Sequence, residues 1–543
     1  MSNLSKLKRE QILDFLAKLR DSKKDDEDAL VAINEIENEI NEKKYGLVWE
    51  KHSEEVDEMM IDNVPILLDD KSREIAMAGN DKYNFLIEGD NLHSLKLLEK
   101  THREAIDVIY IDPPYNTGNN DFMYDDNTVD RNDAFRHSKW LSFMAERLEI
   151  AKRLLSDDGV IFISIDDNEF AQLKMLCDDI FTEANYHGML TWIKKTKPVN
   201  MGSAQYSLQS NVEYILVYGA KSQERHNYYL PEVNPKEYPF SDERGDYRVD
   251  RVDQRKNIGS MRRDSMLFEM FGIKPKDGFR WQLSPQKRDL LMSQKRLFEK
   301  NGSIFVKTYK DEDEKKSGLE PFWTHRSDVP TAESAKENLE KMMNQDDIFQ
   351  TVKPVELIRQ LLLFSTKNDS IVLDFFAGSG TTAQAVLELN KEDGGNRKFI
   401  LCTNNESGIC SDVTFPRIKT VVTGIRPDGS KYSDGIPANV KYYKTEFVAK
   451  DSETLVDDLI AHTDEMIQLE YGVQIDKDKY ISILTDEEAN KLFENWDKYP
   501  NIKAIYVSRH VILNAEQRKM FYTKDVYIIP DYYYREELRE VGE

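Results

Sequence analysis

The chain has 543 residues and a formal net charge of −24. At roughly 100–200 residues per domain, that length makes about three or four structural units. With 40% hydrophobic and 10% aromatic residues it can build cores, which excludes a wholly disordered chain. Its three scattered cysteines, Cys177, Cys402 and Cys410, exclude a disulfide scaffold and a four-cysteine zinc site. A reducing cytoplasm fits that usage, and neither a signal peptide nor a membrane span is expected.

Residues 1–75 read as a charged helical extension, with Leu and Ile at spacings of three and four. From 76 to 185 strands and helices alternate: a strand at 84–90, a helix at 91–100, an apolar strand at 105–111, a long helix at 138–156 and a strand at 160–165. That alternation marks a mostly parallel α/β sheet. It fades over 186–345 and resumes over 346–440, with strands at 370–374 and 398–402 around a helix at 381–390. One α/β domain with an insert is the simplest account. Residues 441–543 read as a small C-terminal α/β domain.

Asp112-Pro113-Pro114-Tyr115 follows the strand ending at 111. The two prolines cannot continue a ladder, so the chain leaves the sheet in a rigid turn, at the strand end where open α/β sheets bind ligands. An exocyclic base amine is a poor nucleophile because its lone pair is delocalised into the ring. A carboxylate (Asp112) and a carbonyl (Pro113) that accept both amine hydrogens free that lone pair. Tyr115 offers a flat face for an extruded base.

The second motif is Asp374-Phe375-Phe376-Ala377-Gly378-Ser379-Gly380-Thr381, between a strand and a helix. Gly378 and Gly380 permit a tight turn and close backbone approach to a ligand. No Lys follows the second glycine, which excludes a P-loop. Glu406, just beyond the next strand, is placed to bind ribose hydroxyls. These glycines serve a dinucleotide equally well. The Asp-Pro-Pro-Tyr turn decides against a nicotinamide oxidoreductase, for which no catalytic constellation is present.

These motifs resemble the β class of DNA amino-methyltransferases, in which the catalytic motif precedes the glycine motif. More closely, the chain resembles the Mod subunits of type III restriction-modification systems. The segments carrying that likeness are 88–92, 110–118, 138–144, 164–169, 353–357 and 374–382. The resemblance implies a Rossmann-like, S-adenosylmethionine (SAM)-dependent methyltransferase sheet with circularly permuted motif order. It implies methyl transfer to adenine N6 in double-stranded DNA by Asp112, Pro113, Pro114 and Tyr115. Asp90, Lys353, Pro354, Asp374, Phe376, Ala377, Gly378, Gly380, Thr381 and Glu406 would hold SAM. No metal is expected, since SAM carries an activated methyl group. A Res subunit and a second copy of the chain are the partners implied. Asp at the first catalytic position favours adenine over cytosine N4, where related enzymes begin with Ser. A solitary type II enzyme and a recognition subunit without catalysis remain the alternatives.

Residues 186–330 hold 26 Lys and Arg against 20 Asp and Glu, +6, so the remainder carries −30. Phosphate binding needs such local basicity. The insert, 186–345, is therefore expected to be the target-recognition domain. Arg248, Arg251, Arg255, Lys256, Arg262 and Arg263 would contact DNA, with Lys194 and Lys195 at its edge.

Overall fold

The apolar runs of the two α/β halves each become a strand that is buried along nearly its whole length. These are β3 (Asn84–Glu88), β4 (Ile106–Ile111), β9 (Ile371–Asp374) and β10 (Lys398–Thr403). Continuous burial suits parallel strands covered on both faces, where alternation has no solvent side to serve. In this computed structural model the described residues are 12–20, 23, 27–41, 49–118, 123–124, 127–129, 132–197, 208–221, 228, 237–258, 262–310, 325–326 and 329–533.

The main sheet also contains β1 (Asn63–Asp69), β2 (Ile75–Ala76), β5 (Leu155–Ile165), β6 (Tyr186–Ile193), β7 (Val212–Gly219), β8 (His325–Arg326) and β11 (Asn439–Ala449). Its order is β1-β11-β3-β10-β9-β4-β5-β7-β6-β8, with β2 also on β11. From β11 to β5 every neighbour is parallel. The carboxyl ends of β3, β4, β5, β9 and β10 therefore share one edge. Helices α1 (Asn91–Thr101), α2 (Arg136–Leu154) and α3 (Thr381–Asp393) leave that edge or return beneath it. The core under them includes Leu95, Leu98, Trp140, Leu148, Ile109 and Phe375.

The expected domain limits need three corrections. β6 and β7 pair antiparallel with each other, and β7 pairs antiparallel with β5, so Tyr186–Ile193 and Val212–Gly219 belong to the main sheet and not to the insert. The insert clusters separately only over 228–323. β1 and β11 pair antiparallel at the opposite edge, so the N-terminal extension and the C-terminal segment each lend a strand to the central sheet. The small C-terminal sheet is Tyr480–Ile483, Ala504–Ser508 and Asp525–Ile529, all parallel.

Taken by itself, the insert is an antiparallel sheet in the order Phe240–Asp242, Gly245–Arg251, Ser303–Tyr309, Leu297–Lys300. A two-stranded ribbon, Gln254–Lys256 with Phe279–Trp281, accompanies it. Its own core gathers Met270, Trp281, Leu283, Leu291, Leu297 and Ile304.

Candidate active site

β4 ends at Ile111 and the chain turns at once through Asp112-Pro113-Pro114-Tyr115. The turn is pinned from below: the buried Trp140 indole donates to the Pro114 carbonyl at 2.7 Å. Among the described residues no donor engages the Pro113 carbonyl, which leaves it as a free acceptor beside Asp112.

Asp112 stands in a network of four charged groups. Lys353 Nζ donates to both of its carboxylate oxygens at 2.7 Å, and the Tyr115 hydroxyl donates to Oδ1 at 2.8 Å. Lys353 also lies 3.3 Å from Glu213 Oε2, and Tyr115 donates to the same oxygen at 3.2 Å. Lys194 Nζ donates to Glu213 Oε1 at 3.1 Å. Burial opposes both charges, but Asp112 and Glu213 hold the Lys353 ammonium above its ordinary pKa. Lys353 and Lys194 likewise hold the Glu213 carboxyl below its own, against desolvation. Burial, with Asp112 next, pushes the Tyr115 hydroxyl well up, so it stays a donor.

The glycine loop closes over the neighbouring strand end. Asp374 accepts from Phe376 N at 3.0 Å and from the Thr382 hydroxyl at 2.5 Å. Its carboxylate braces the loop internally, and burial, with Asp112 also contributing, raises its pKa to about 7. Gly378 and Gly380 sit at φ 47° and 78°, conformations that side chains rarely adopt. A Cβ at Gly380 would meet Thr414 Cγ2 at 3.2 Å. Gly380 is the N-cap of α3, whose first N–H groups open toward the loop. Arg417, fully buried, donates to the Ser379 carbonyl at 3.2 Å and to the Ser379 and Thr381 hydroxyls at 2.9 Å each. Thr381 in turn reaches the Lys353 carbonyl at 3.4 Å, which ties the loop to the lysine that holds Asp112. Pro354 caps the helix Val355–Ser365 just after it.

Residues 106–414 match the N6_N4_Mtase family model, described as DNA methylase. The chain belongs to the DNA methylase family. The StyLTI Mod subunit of a type III restriction-modification enzyme from Salmonella typhimurium is 32% identical over 64% of this chain and 56% of its own length. The type II methyltransferase M.KpnI from Klebsiella pneumoniae is 32% identical over 69% of this chain and 97% of its own. The EcoPI Mod subunit of Escherichia phage P1 is 30% identical over 70% and 66%. The chain thus spans a little over half of the Salmonella Mod subunit and almost all of M.KpnI.

The third strand end, β3, supplies Gly89-Asp90-Asn91. Asp90 caps α1 by accepting from Leu92 N at 2.7 Å. Asn91 donates to the Phe375 carbonyl at 3.0 Å, which joins this turn to the glycine loop. Arg147, a fully buried guanidinium, orients Asn91 by donating to its Oδ1 at 2.6 Å and pairs with Glu54 at 2.7 Å. Glu406 lies exposed in the short turn Glu406–Gly408 after β10, beside Asn405, which donates to Glu88 at 3.1 Å. Ala377 and Phe376 line the same loop, Phe376 against Phe143.

Three positioning side chains escaped the sequence reading: Glu213, Arg417 and Arg147. Each is a lone charged residue inside an element, and only the fold shows its partner. Glu169 is buried, accepts from Asn116 Nδ2 at 2.6 Å and meets His137 Nδ1 at 2.6 Å. Burial raises its carboxyl to about 8. Asn116, immediately after Tyr115, sits at φ 55° and is held there by Glu169 and by the Arg136 carbonyl.

Of the residues expected at DNA, Lys194 pairs with Glu213 at 3.1 Å. Trp192, beside it, is core and donates to the Pro330 carbonyl at 3.1 Å. Lys195 is exposed. In the insert Arg248 pairs with Asp250 at 2.8 Å and Arg262 with Asp264 at 3.0 Å, while Arg263 donates to the Arg262 carbonyl. Arg251, Arg255 and Lys256 are exposed with no side-chain partner among the described residues. Arg255 lies directly opposite Arg280 in the ribbon, a like-charge pair that a bound anion would relieve.

Proposed function

We propose that the protein transfers a methyl group from SAM to N6 of an adenine extruded from double-stranded DNA. The observation that carries this reading is the adjacency of two strand ends. β4 presents Asp112 and the open Pro113 carbonyl, and β9, its parallel neighbour, presents the Gly378–Gly380 loop. Asp112 and Pro113 accept the two amine hydrogens and localise the lone pair on nitrogen. The Tyr115 ring stacks the base. Asp90, the loop from Phe376 to Thr381, Lys353-Pro354 and Glu406 would hold SAM, which supplies an electrophilic methyl group when bound. The cradle fits such a group: its backbone is glycine-opened, and its N-terminal helix end suits a carboxylate. Arg251, Arg255 and Lys256 have their charges available for phosphate or guanine. The likeness to Mod subunits supports a place in a restriction-modification system, with a Res subunit and a second copy of the chain as partners.

Incubation with methyl-labelled SAM and duplex DNA tests the reading. Label is expected in the DNA, and Asp112→Ala is expected to abolish transfer while retaining SAM binding. Label that never enters DNA would count against it.

A further inference from the structure

Glu213 belongs to no motif, yet it is the hub of the catalytic network. It lies on β7, opposite Trp192, with 3% of its surface exposed. Its Oε1 is fixed by Lys194 and its Oε2 faces both Lys353 and Tyr115. Asp112, in contrast, has both oxygens engaged: Lys353 holds both, and Tyr115 shares one. An incoming adenine amine would meet an ammonium already seated across the carboxylate. The ammonium is drawn to the carboxylate by full charge–charge attraction as well as by hydrogen bonds, whereas the neutral amine brings hydrogen bonds alone, so the amine loses that contest while the ammonium stays. The ammonium cannot simply withdraw, because an unpaired buried charge is costly. Glu213 supplies the other carboxylate within 4.0 Å of Lys353 Nζ among the described residues.

We infer that Glu213 is a positioning residue that takes Lys353 and the Tyr115 hydroxyl away from Asp112 when the target amine arrives, freeing an Asp112 oxygen to accept it. The inference rests on the amino-methylation reading of the site. No covalent bond changes in this step; hydrogen bonds are exchanged, and the two ammoniums and two carboxylates stay in balance throughout. Lys194 keeps the Glu213 carboxylate turned so that Oε2 faces the lysine that must move.

The test is single-turnover methyl transfer to duplex DNA by the full chain, with SAM affinity measured beside it. Glu213→Gln keeps the shape and removes the charge. Its transfer rate is expected to fall about tenfold or more, the size of one charge-assisted hydrogen bond, with SAM affinity unchanged. In a Lys353→Met background the same substitution is expected to have little further effect, because the cation it draws away is gone. Glu213→Asp, which keeps the charge, is expected to recover part of the rate. A wild-type rate in Glu213→Gln would overturn the inference. So would an undiminished loss in the Lys353→Met background, a parallel fall in SAM affinity, or an Asp variant no faster than Gln. If the unmutated protein methylates no base amine in DNA, the reading of the site fails and this inference with it, an outcome visible before any variant is made.

Discussion

Asp112 and Glu169 show how two carboxylic acids do opposite work. Asp112 is partly open to solvent and ringed by donors, which suits a carboxylate that must accept. Asp112→Asn keeps one acceptor but turns an amide N–H₂ toward the target amine. Methyl transfer is expected to drop by about 10²–10³, as when one transition-state hydrogen-bonding group is lost elsewhere, with SAM binding kept in an equilibrium titration. Glu169 is enclosed and its Oε2 has no hydrogen-bond partner among the described residues. Its carboxyl rises from 4.5 to about 8, so the folded chain holds a proton that the unfolded chain releases between those values. That contribution to stability is complete below pH 4.5 and is lost as pH rises through about 8. Glu169→Gln mimics the protonated form. Thermal melts from pH 5 to 9 are expected to fall less steeply for this variant than for the wild type; parallel curves would contradict the assignment.

At the scale of elements, the strand-turn-helix joints hold the site, and their chemistry was legible unevenly. The Asp-Pro-Pro-Tyr and glycine turns announce themselves because proline and glycine report backbone geometry directly. Strands β6 and β7 did not, although Val212–Gly219 is apolar enough, because their pairing is non-local and reverses direction after a parallel run. The ion pairs of Arg147 and Glu213 are hidden for the same reason. Gly89 is a joint whose need is steric: at φ 153° an added Cβ would sit 1.8 Å from Thr445 Oγ1 on β11. Gly89→Ala is expected to lower stability by about 1–3 kcal/mol in chemical denaturation. Arg147→Met removes the ion pair with Glu54 and releases Asn91 from its register against the glycine loop. A loss of about 3–5 kcal/mol is expected, the range for breaking a buried pair from one side, together with weaker SAM binding.

Over the whole molecule the charge is lopsided, −24 in sum with a basic insert. Sequence composition found that insert but overran its limits by three strands of the main sheet, β6, β7 and β8, since a count of charges does not see hydrogen-bonded ladders. It also credited every basic residue equally. The fold separates Arg251, Arg255 and Lys256 from the paired Arg248, Arg262 and Lys194. If these three meet phosphates, each Ala substitution is expected to lower the slope of log affinity against log salt by about 1, whereas loss at a base-reading Arg relaxes sequence preference instead. DNA titrations at several salt concentrations distinguish the two.

The central claim, amino-methylation at Asp112, is tested most directly by mapping modified bases in DNA from cells that express this chain alone, beside an Asp112→Ala control. The account predicts N6-methyladenine at a short recognition motif, absent from the control. Unmodified adenine in both, or the same modification in both, would contradict it.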